Sequence, residues 1–486
     1  MWAVVIIGLP LLAALLSAVV GWRRWMPWIG VGADASVLMV GFVVALRDVH
    51  HAPISWAAGT LRLDSLSAFM VIVIGTVSVL AAWGSVRFLD HDVRSGGSTT
   101  RHALQYSVLI QLFVATMLLA VCAANIGILW VAIEATTITT TFLVGHRRTR
   151  NALEASWKYI VICSVGIALA FLGTVVLYLA AEHAGGTSLH ALDWTWLTAH
   201  AHALDPSIVR MAFGLLVLGY GAKVGLVPLH SWLPDAHSQA PAPVSALMSG
   251  VLLSVALYAI LRFKVIAVAS VGGAYPRAVL VAMALASLVL ASLLLVTQHD
   301  LKRALAYSST EHMGLMALAA AAGGPLALTG LLLHMLGHGL AKSVLFLSAG
   351  ELVISDGTTS ISDAGGLMSR QPSLGGVVGL GLAALLGFPP FSLFISEVTM
   401  VRGEVAAHLA WAAIISLVAL AIAFAALATH GRRLLFDAKV PGGASARTPV
   451  SVMAPLVTGL ALCGFIGLSA WPLGPILRAA ARVVTS

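Results

Sequence analysis

Lys223 and Lys342 lie inside long apolar stretches and Lys158 opens another, whereas most other basic residues fall in the short links between such stretches. Glu134 and Glu397 are embedded likewise, and His312, His334 and His338 are spaced through two further apolar runs. Ionisable groups at such depth mark ion pathways and proton relays, because desolvation is offset only where the group is paired, hydrated or exchanging protons. The chemistry this set points to is proton transfer, with charge moved across or along a bilayer.

Each residue type has a part it suits and a plainer alternative. Glu134 is flanked on both sides by long uncharged runs. A carboxylate there is paired, hydrated or protonated, and a Glu–Lys pair changes its proton occupancy when the distance between its members changes. The plainer reading is a protonated Glu134 hydrogen-bonded to Thr136, Thr137, Thr139, Thr140 and Thr141. Lys223 has small neighbours, Gly219, Gly221, Ala222 and Gly225, that leave room for water, and a buried lysine loads and releases a proton readily; snorkelling to the interface is its alternative. His334, His338 and Lys342 follow i, i+4, i+8 spacing, which in a helix makes a stripe on one face about 12 Å long. Histidine titrates near neutral pH, which suits a relay, while packing is the alternative. No third ligand of matching spacing accompanies the two histidines, so a metal site is not expected.

Lys158 follows Glu154 by one helical turn, a spacing equally suited to a surface pair. His237 and His312 are further candidate stations. Asp34 lacks a sequence partner and reads as a hydrogen-bonding group.

Two prolines mark where the backbone must give way. Gly225-Leu226-Val227-Pro228-Leu229 recurs in kind as Gly387-Phe388-Pro389-Pro390-Phe391. Proline removes an intrahelical hydrogen bond and clashes with the preceding turn, so each site breaks or kinks its helix. Carbonyls freed in a membrane need protein or water partners. Broken helices at matching positions of two inverted halves are how transporters place an ion site near the midplane. Lys223 precedes Pro228 and Glu397 follows Pro390 closely enough to sit at such breaks.

The elements that position these residues follow from composition. The chain has 486 residues, 59% hydrophobic and 9% charged, far from the roughly 25% charged residues of soluble domains. About fourteen runs are long enough to cross a bilayer as helices: 2–21, 27–46, 66–89, 104–124, 126–144, 157–181, 207–227, 241–262, 276–297, 302–321, 325–354, 374–400, 408–430 and 451–471. The expected fold is an all-α polytopic membrane protein, one membrane domain over 1–486. The largest links are 182–206 and the basic, glycine-containing 431–450.

Basic residues spread over many short loops set topology and do not point to nucleic acid, despite a net charge of +8. The richer side, with Arg23, Arg24, Arg147, Arg148, Arg150, Lys302, Arg303 and Arg432, is expected to be cytoplasmic and both termini outside. The first run is followed by Gly21-Trp22-Arg23-Arg24 and reads as a retained helix. Cys122, Cys163 and Cys463 are isolated thiols without metal-ligand spacing. Neither a phosphate-binding loop nor a dinucleotide fingerprint is present, so no cofactor is expected in this chain.

From about Ser107 to Glu404 the chain resembles the antiporter-like membrane subunits shared by respiratory complex I, multi-subunit Na+/H+ antiporters and membrane-bound nickel–iron hydrogenases. The resemblance runs through Trp130 to Glu134, Lys223 to His237, Gln298 to Ser309 and His334 to Gly350. Glu134 to Thr137, Trp157 to Gly166 and Glu311 to Gly314 are most similar to the hydrogenase-4 component F branch. The resemblance implies two inverted five-helix repeats, 104–262 and 276–430, each with a proline-broken helix. It implies Glu134 and Lys223 as a coupled pair, Lys342 with His334 and His338 as an inner relay, and Glu397 as a terminal station. Complex I subunits usually carry Lys or His in the eighth span, where the candidate positions in this chain are Ser249 and Ser254. The sequence given ends without a long lateral helix, which argues against the subunit type that carries one.

The expected function is that of a proton-translocating subunit of a membrane oxidoreductase in a bacterial inner membrane. Its expected partners are other membrane subunits and a peripheral redox module with iron–sulfur clusters. A multi-subunit Na+/H+ antiporter without a redox partner is the second class. A quinone-processing enzyme is disfavoured, because no redox motif is present.

Overall fold

The computed structural model describes residues 2–49, 51–56, 59–437 and 448–485, so the basic link expected at 431–450 lies partly outside the described residues. Helices α1 (Trp2–Val20), α2 (Pro27–Asp48), α3 (Ser65–Arg94), α4 (Thr100–Cys122), α5 (Ile126–Val144) and α6 (Arg150–His183) lead into a short α7 (Trp194–Ala199). Next come α8 (Pro206–Val224), α9 (Trp232–Gln239), α10 (Ala242–Leu247) and α11 (Leu253–Val271), the last two joined by a π turn, Met248–Leu252. The second half holds α12 (Ala274–Val296), α13 (Leu301–Ala322), α14 (Pro325–Asp356), α15 (Leu367–Arg370), α16 (Pro372–Leu385), α17 (Ser392–Ala406), α18 (Ala410–Phe436), α19 (Val450–Leu468) and α20 (Gly474–Thr485). A two-stranded hairpin, Ile54–Trp56 with Leu61–Leu63, is the small exception to the all-α expectation.

Twelve of the described helices are long and apolar enough to cross a membrane, which makes the chain a multi-pass membrane protein. The helix α13 and the interrupted pair α16–α17 occupy the two remaining apolar runs. Side-chain caps start many of these helices. Asp64, Thr99, Asn125, Thr149, Asp205 and Asp300 each accept a hydrogen bond from a first-turn N–H that has no intrahelical partner.

The centre is built from α14 and the α10–α11 segment, whose apolar stretches are wholly buried, with α3 packed against both. Small residues permit this. A Cβ at Gly339 of α14 would lie 2.9 Å from the Gly250 carbonyl oxygen and 2.8 Å from Val77 of α3, so backbones meet directly there.

Both proline sites break their helices. The α8 helix ends at Gly225, φ 81°, before a cis Val227–Pro228 bond; α16 ends near Gly387, φ 67°, before a cis Pro389–Pro390 bond. Both glycines occupy the left-handed region that favours glycine.

Basic residues inside helices are more numerous than the sequence suggests. Arg262, of α11, forms a bidentate pair with the Asp64 carboxylate, 2.7 Å to each oxygen. Burial alone would push the Asp64 carboxyl up, but this guanidinium outweighs it and holds the group below its ordinary value. Lys264 and Lys302 are buried too. Lys302 donates to the Ala240 carbonyl, 2.6 Å, just past the end of α9, so it serves as a cap.

Candidate functional site

The first cluster forms where α8 breaks. Lys223, fully buried in the last turn of α8, donates to Thr137 Oγ1 at 2.9 Å and Tyr159 Oη at 2.6 Å. The break leaves the Ala222 carbonyl only the N–H of the capping Gly225, at 3.2 Å, and Trp232 Nε1 donates to it as well at 2.8 Å. Trp232 also packs its ring edge against Tyr159, centroids 4.9 Å apart.

Glu134 sits one turn before Thr137 on α5, half-buried, with Oε2 enclosed and unpartnered. It lies within electrostatic reach of Lys223, but among the described residues no direct ion pair joins them. Thr137 and Tyr159 therefore hold the ammonium off the carboxylate. Of the threonines, Thr137 hydrogen-bonds Glu134, whereas Thr136, Thr139, Thr140 and Thr141 donate to carbonyls of their own helix, so the threonine reading narrows to one residue.

A second buried polar group is built from hydroxyls. Ser249, in the π turn, meets Ser309 Oγ at 2.7 Å, and the adjacent Ser308 accepts a hydrogen bond from Lys342. Lys342 Nζ also donates to the Leu305 carbonyl at 2.7 Å. Ser254 Oγ is buried without a partner. His237 stacks on Phe346, centroids 5.0 Å apart, with neither ring nitrogen hydrogen-bonded, and lies in electrostatic reach of Lys342.

Beyond Lys342 the stripe on α14 meets α13. His312, His334 and His338 pack as a triad, centroids 5.1 to 6.2 Å apart, with His312 Nδ1 and His334 Nε2 at 3.0 Å. His334 Nδ1 reaches Ser396 Oγ at 2.9 Å, and neither ring nitrogen of His338 has a partner. Glu397 of α17 closes the set. Its carboxylate and the ring nitrogens of His312 and His334 all lie within 4.8 Å, a spacing that metal ligands also adopt. This grouping takes only His334 of the two stripe histidines, with His312 and Glu397 supplied by other helices, a juxtaposition that spacing along α14 does not reveal. A cavity of about 360 Å³, bounded by Leu420 and Phe424 of α18, opens beside Glu311, His312 and Glu397. It has room for water.

The structure separates Lys158 from this chain of groups. Its side chain is 48% exposed, paired with Glu154 at 2.8 Å and Asp235 at 3.1 Å, and Asp235 also holds Arg303. Lys158 thus belongs to a surface network, not to the buried path.

Within α13 and α17, sequence reasoning missed two buried carboxylates. Glu311 is 2% exposed, 3.7 Å from His312 Nε2. Glu404 is fully buried with both oxygens unpartnered. The signal for Glu404 was its i+7 spacing from Glu397, which places both on one face of α17.

Comparison with known proteins follows the same region. A family model described as NADH:quinone oxidoreductase/Mrp antiporter, transmembrane, matches residues 123–423. A hydrogenase-4 component F homolog of Methylacidiphilum infernorum is 42% identical over 335 residues, covering 69% of this chain and 70% of that protein. Hydrogenase-4 component B of Escherichia coli is 30% identical over 81% of this chain, which spans only 57% of that relative. Three solved structures share the fold. A chain of an archaeal membrane-bound sulfane sulfur reductase superposes with TM-score 0.88 at 24% identity, covering 100% of this chain and 98% of that one. A chain of the Mrp complex from Dietzia gives 0.85 at 20% identity, over 100% and 98%. One of respiratory complex I from Thermus thermophilus gives 0.81 at 21%, over 100% of both.

Proposed function

This chain belongs to the NADH:quinone oxidoreductase/Mrp antiporter transmembrane family, and on that premise we propose that it is a proton-translocating subunit of a membrane oxidoreductase complex, of hydrogenase-4 or NADH:quinone oxidoreductase type. The observation that carries this reading is the buried set of groups running from Ser249 and Ser309, with the adjacent Ser308, to Lys342 and on through the histidine triad to Glu397, with a second buried ammonium, Lys223, at the break of α8. The two outer carboxylates, Glu134 and Glu397, are half-buried, while the groups between them are enclosed.

The mechanism is coupled titration. A charge change near Glu134 alters the field at Lys223, which takes up or releases a proton. Water and the serine hydroxyls pass it to Lys342, and His338, His334 and His312 carry it to Glu397. The ion is the proton rather than Na+. The central stations are ammonium and imidazole groups, which exchange protons but repel a bare cation when charged.

In this reading the two segments 104–262 and 276–430 are inverted repeats, each contributing one broken helix to the path. The chain resides in a bacterial inner membrane with both termini outside, beside other membrane subunits and a peripheral iron–sulfur redox module. Electron transfer takes place in those partners. A multi-subunit Na+/H+ antiporter remains the second reading, supported by the fold shared with the Mrp chain.

Purification of the native complex through this chain, followed by proteoliposome assay, separates them. Co-purifying hydrogenase or iron–sulfur subunits and redox-driven proton uptake are expected. Small antiporter subunits with Na+-dependent exchange, and no redox partner, would contradict the proposal.

A further inference from the structure

A large cavity lies away from the buried path, on the outer face of α4, α5 and α6. It is a groove of about 960 Å³, at the upper end of the roughly 300–1,000 Å³ typical of ligand sites. Its body is apolar, formed by Leu109, Phe142, Leu153, Trp157 and Ile160. Trp157 and Phe142 are 68% and 64% exposed, so the groove is open toward the bilayer.

Its mouth is of different chemistry. His102 opens α4, and Arg148 lies in the turn joining α5 to α6. Arg101 and His146 stand within electrostatic reach of His102, as does Arg148. The neighbouring acid, Asp92, is taken by His146 at 3.4 Å. Among the described residues Arg148 makes no ion pair. Its backbone sits at φ 52°, a left-handed conformation uncommon for a side-chain-bearing residue and kept where a position is over-determined.

The turn also carries Arg147 and Arg150, so this end of the groove is on the side that the distribution of basic residues marks as cytoplasmic. Basic pockets between membrane helices on that side suit anionic headgroups, with a tryptophan at the interface and acyl chains along the apolar wall.

We propose that this groove is a binding site for an anionic phospholipid, its phosphate held by Arg148 and His102 and an acyl chain lying along Phe142 and Trp157. Charge complementarity selects the occupant. A free phosphate has no use for the apolar body, and a zwitterionic lipid leaves the unpaired cations uncompensated. This site is independent of the proton path, so either reading survives failure of the other.

The test uses the full chain in phosphatidylcholine vesicles doped with a brominated lipid, reading Trp157 as the fluorescence difference between wild type and Trp157→Phe. Brominated phosphatidylglycerol should quench that signal several-fold more than the same fraction of brominated phosphatidylcholine, and the excess should vanish in the folded His102→Gln/Arg148→Gln variant. Equal quenching by both lipids overturns the proposal. A second measurement does not depend on that variant. Mass spectrometry of the purified native complex should find anionic phospholipid retained above its share of the source membrane, and no enrichment, or a crosslink from Arg148 to a neighbouring subunit, overturns the site in favour of bulk bilayer or protein contact.

Discussion

At the scale of single residues, the site is organised by groups that keep charges apart. Lys223 is bound by two hydroxyls instead of by Glu134, so the carboxylate acts on it through the field. Glu134→Gln keeps shape and hydrogen bonding but removes that charge. Redox-driven proton uptake in proteoliposomes is expected to fall at least tenfold, about 1.4 kcal/mol on the limiting barrier, with assembly unchanged. Normal uptake would return Glu134 to a packing role. Glu404 offers a separate test, because its carboxylate is enclosed with no partner. If it extends the path beyond Glu397, Glu404→Gln lowers uptake. Its thermal midpoint holds or rises, because an uncompensated buried group has been neutralised. Unchanged uptake together with a lower midpoint would mark Glu404 as structural.

At the scale of elements, the broken helices and the pairs that tie them are the parts most exposed to small changes. A Cβ at Gly387 would stand 2.5 Å from Glu397 Oε2, at φ 67°. Gly387→Ala is therefore expected to destabilise by about 1–2 kcal/mol through the left-handed backbone, and to slow proton uptake by displacing the carboxylate. A variant with the lower midpoint but full uptake would show that Glu397 need not stay where the break puts it. The Asp64–Arg262 pair joins the start of α3 to α11. Arg262→Ala leaves Asp64 buried and unpaired, and a loss of about 3 kcal/mol is expected from thermal unfolding. Asp64 binds its proton less readily in the folded protein than in the unfolded chain. The pair's contribution is thus complete above the unfolded value of about 3.9 and fades as pH falls through the lower folded value. The gap in midpoint between wild type and variant should narrow as pH falls, first as the unpaired, buried Asp64 of the variant takes up its proton and then as the wild-type pair is titrated; a gap independent of pH would exclude Asp64 as the cause.

At the scale of the whole molecule, much of the architecture was legible because membrane helices must satisfy their own backbone groups, so long apolar runs translate directly into helices. The stripe of His334, His338 and Lys342 was legible because it lies within one helix. What stayed hidden was contact between helices. Nothing in sequence spacing brings His312 to His334, puts Glu397 beside both, or joins Arg262 to Asp64 across the chain. Lys158 misled for the opposite reason, since a lysine opening an apolar run has the same local sequence whether it faces the interior or, as here, a surface network. In the proposed path Lys342 is the junction, bonded on one side to Ser308, near Ser249, and followed on the other by the histidine triad toward Glu397. A packing role for it predicts that Lys342→Met, which keeps the apolar stem, is tolerated or even stabilising. A relay role predicts loss in Lys342→Met and equally in Lys342→Arg, because a guanidinium does not release its proton near neutral pH. The deciding measurement is redox-driven proton uptake by the native complex carrying each variant in proteoliposomes: both are expected to fall to background with the complex intact, and normal uptake in both would contradict a proton path through Lys342.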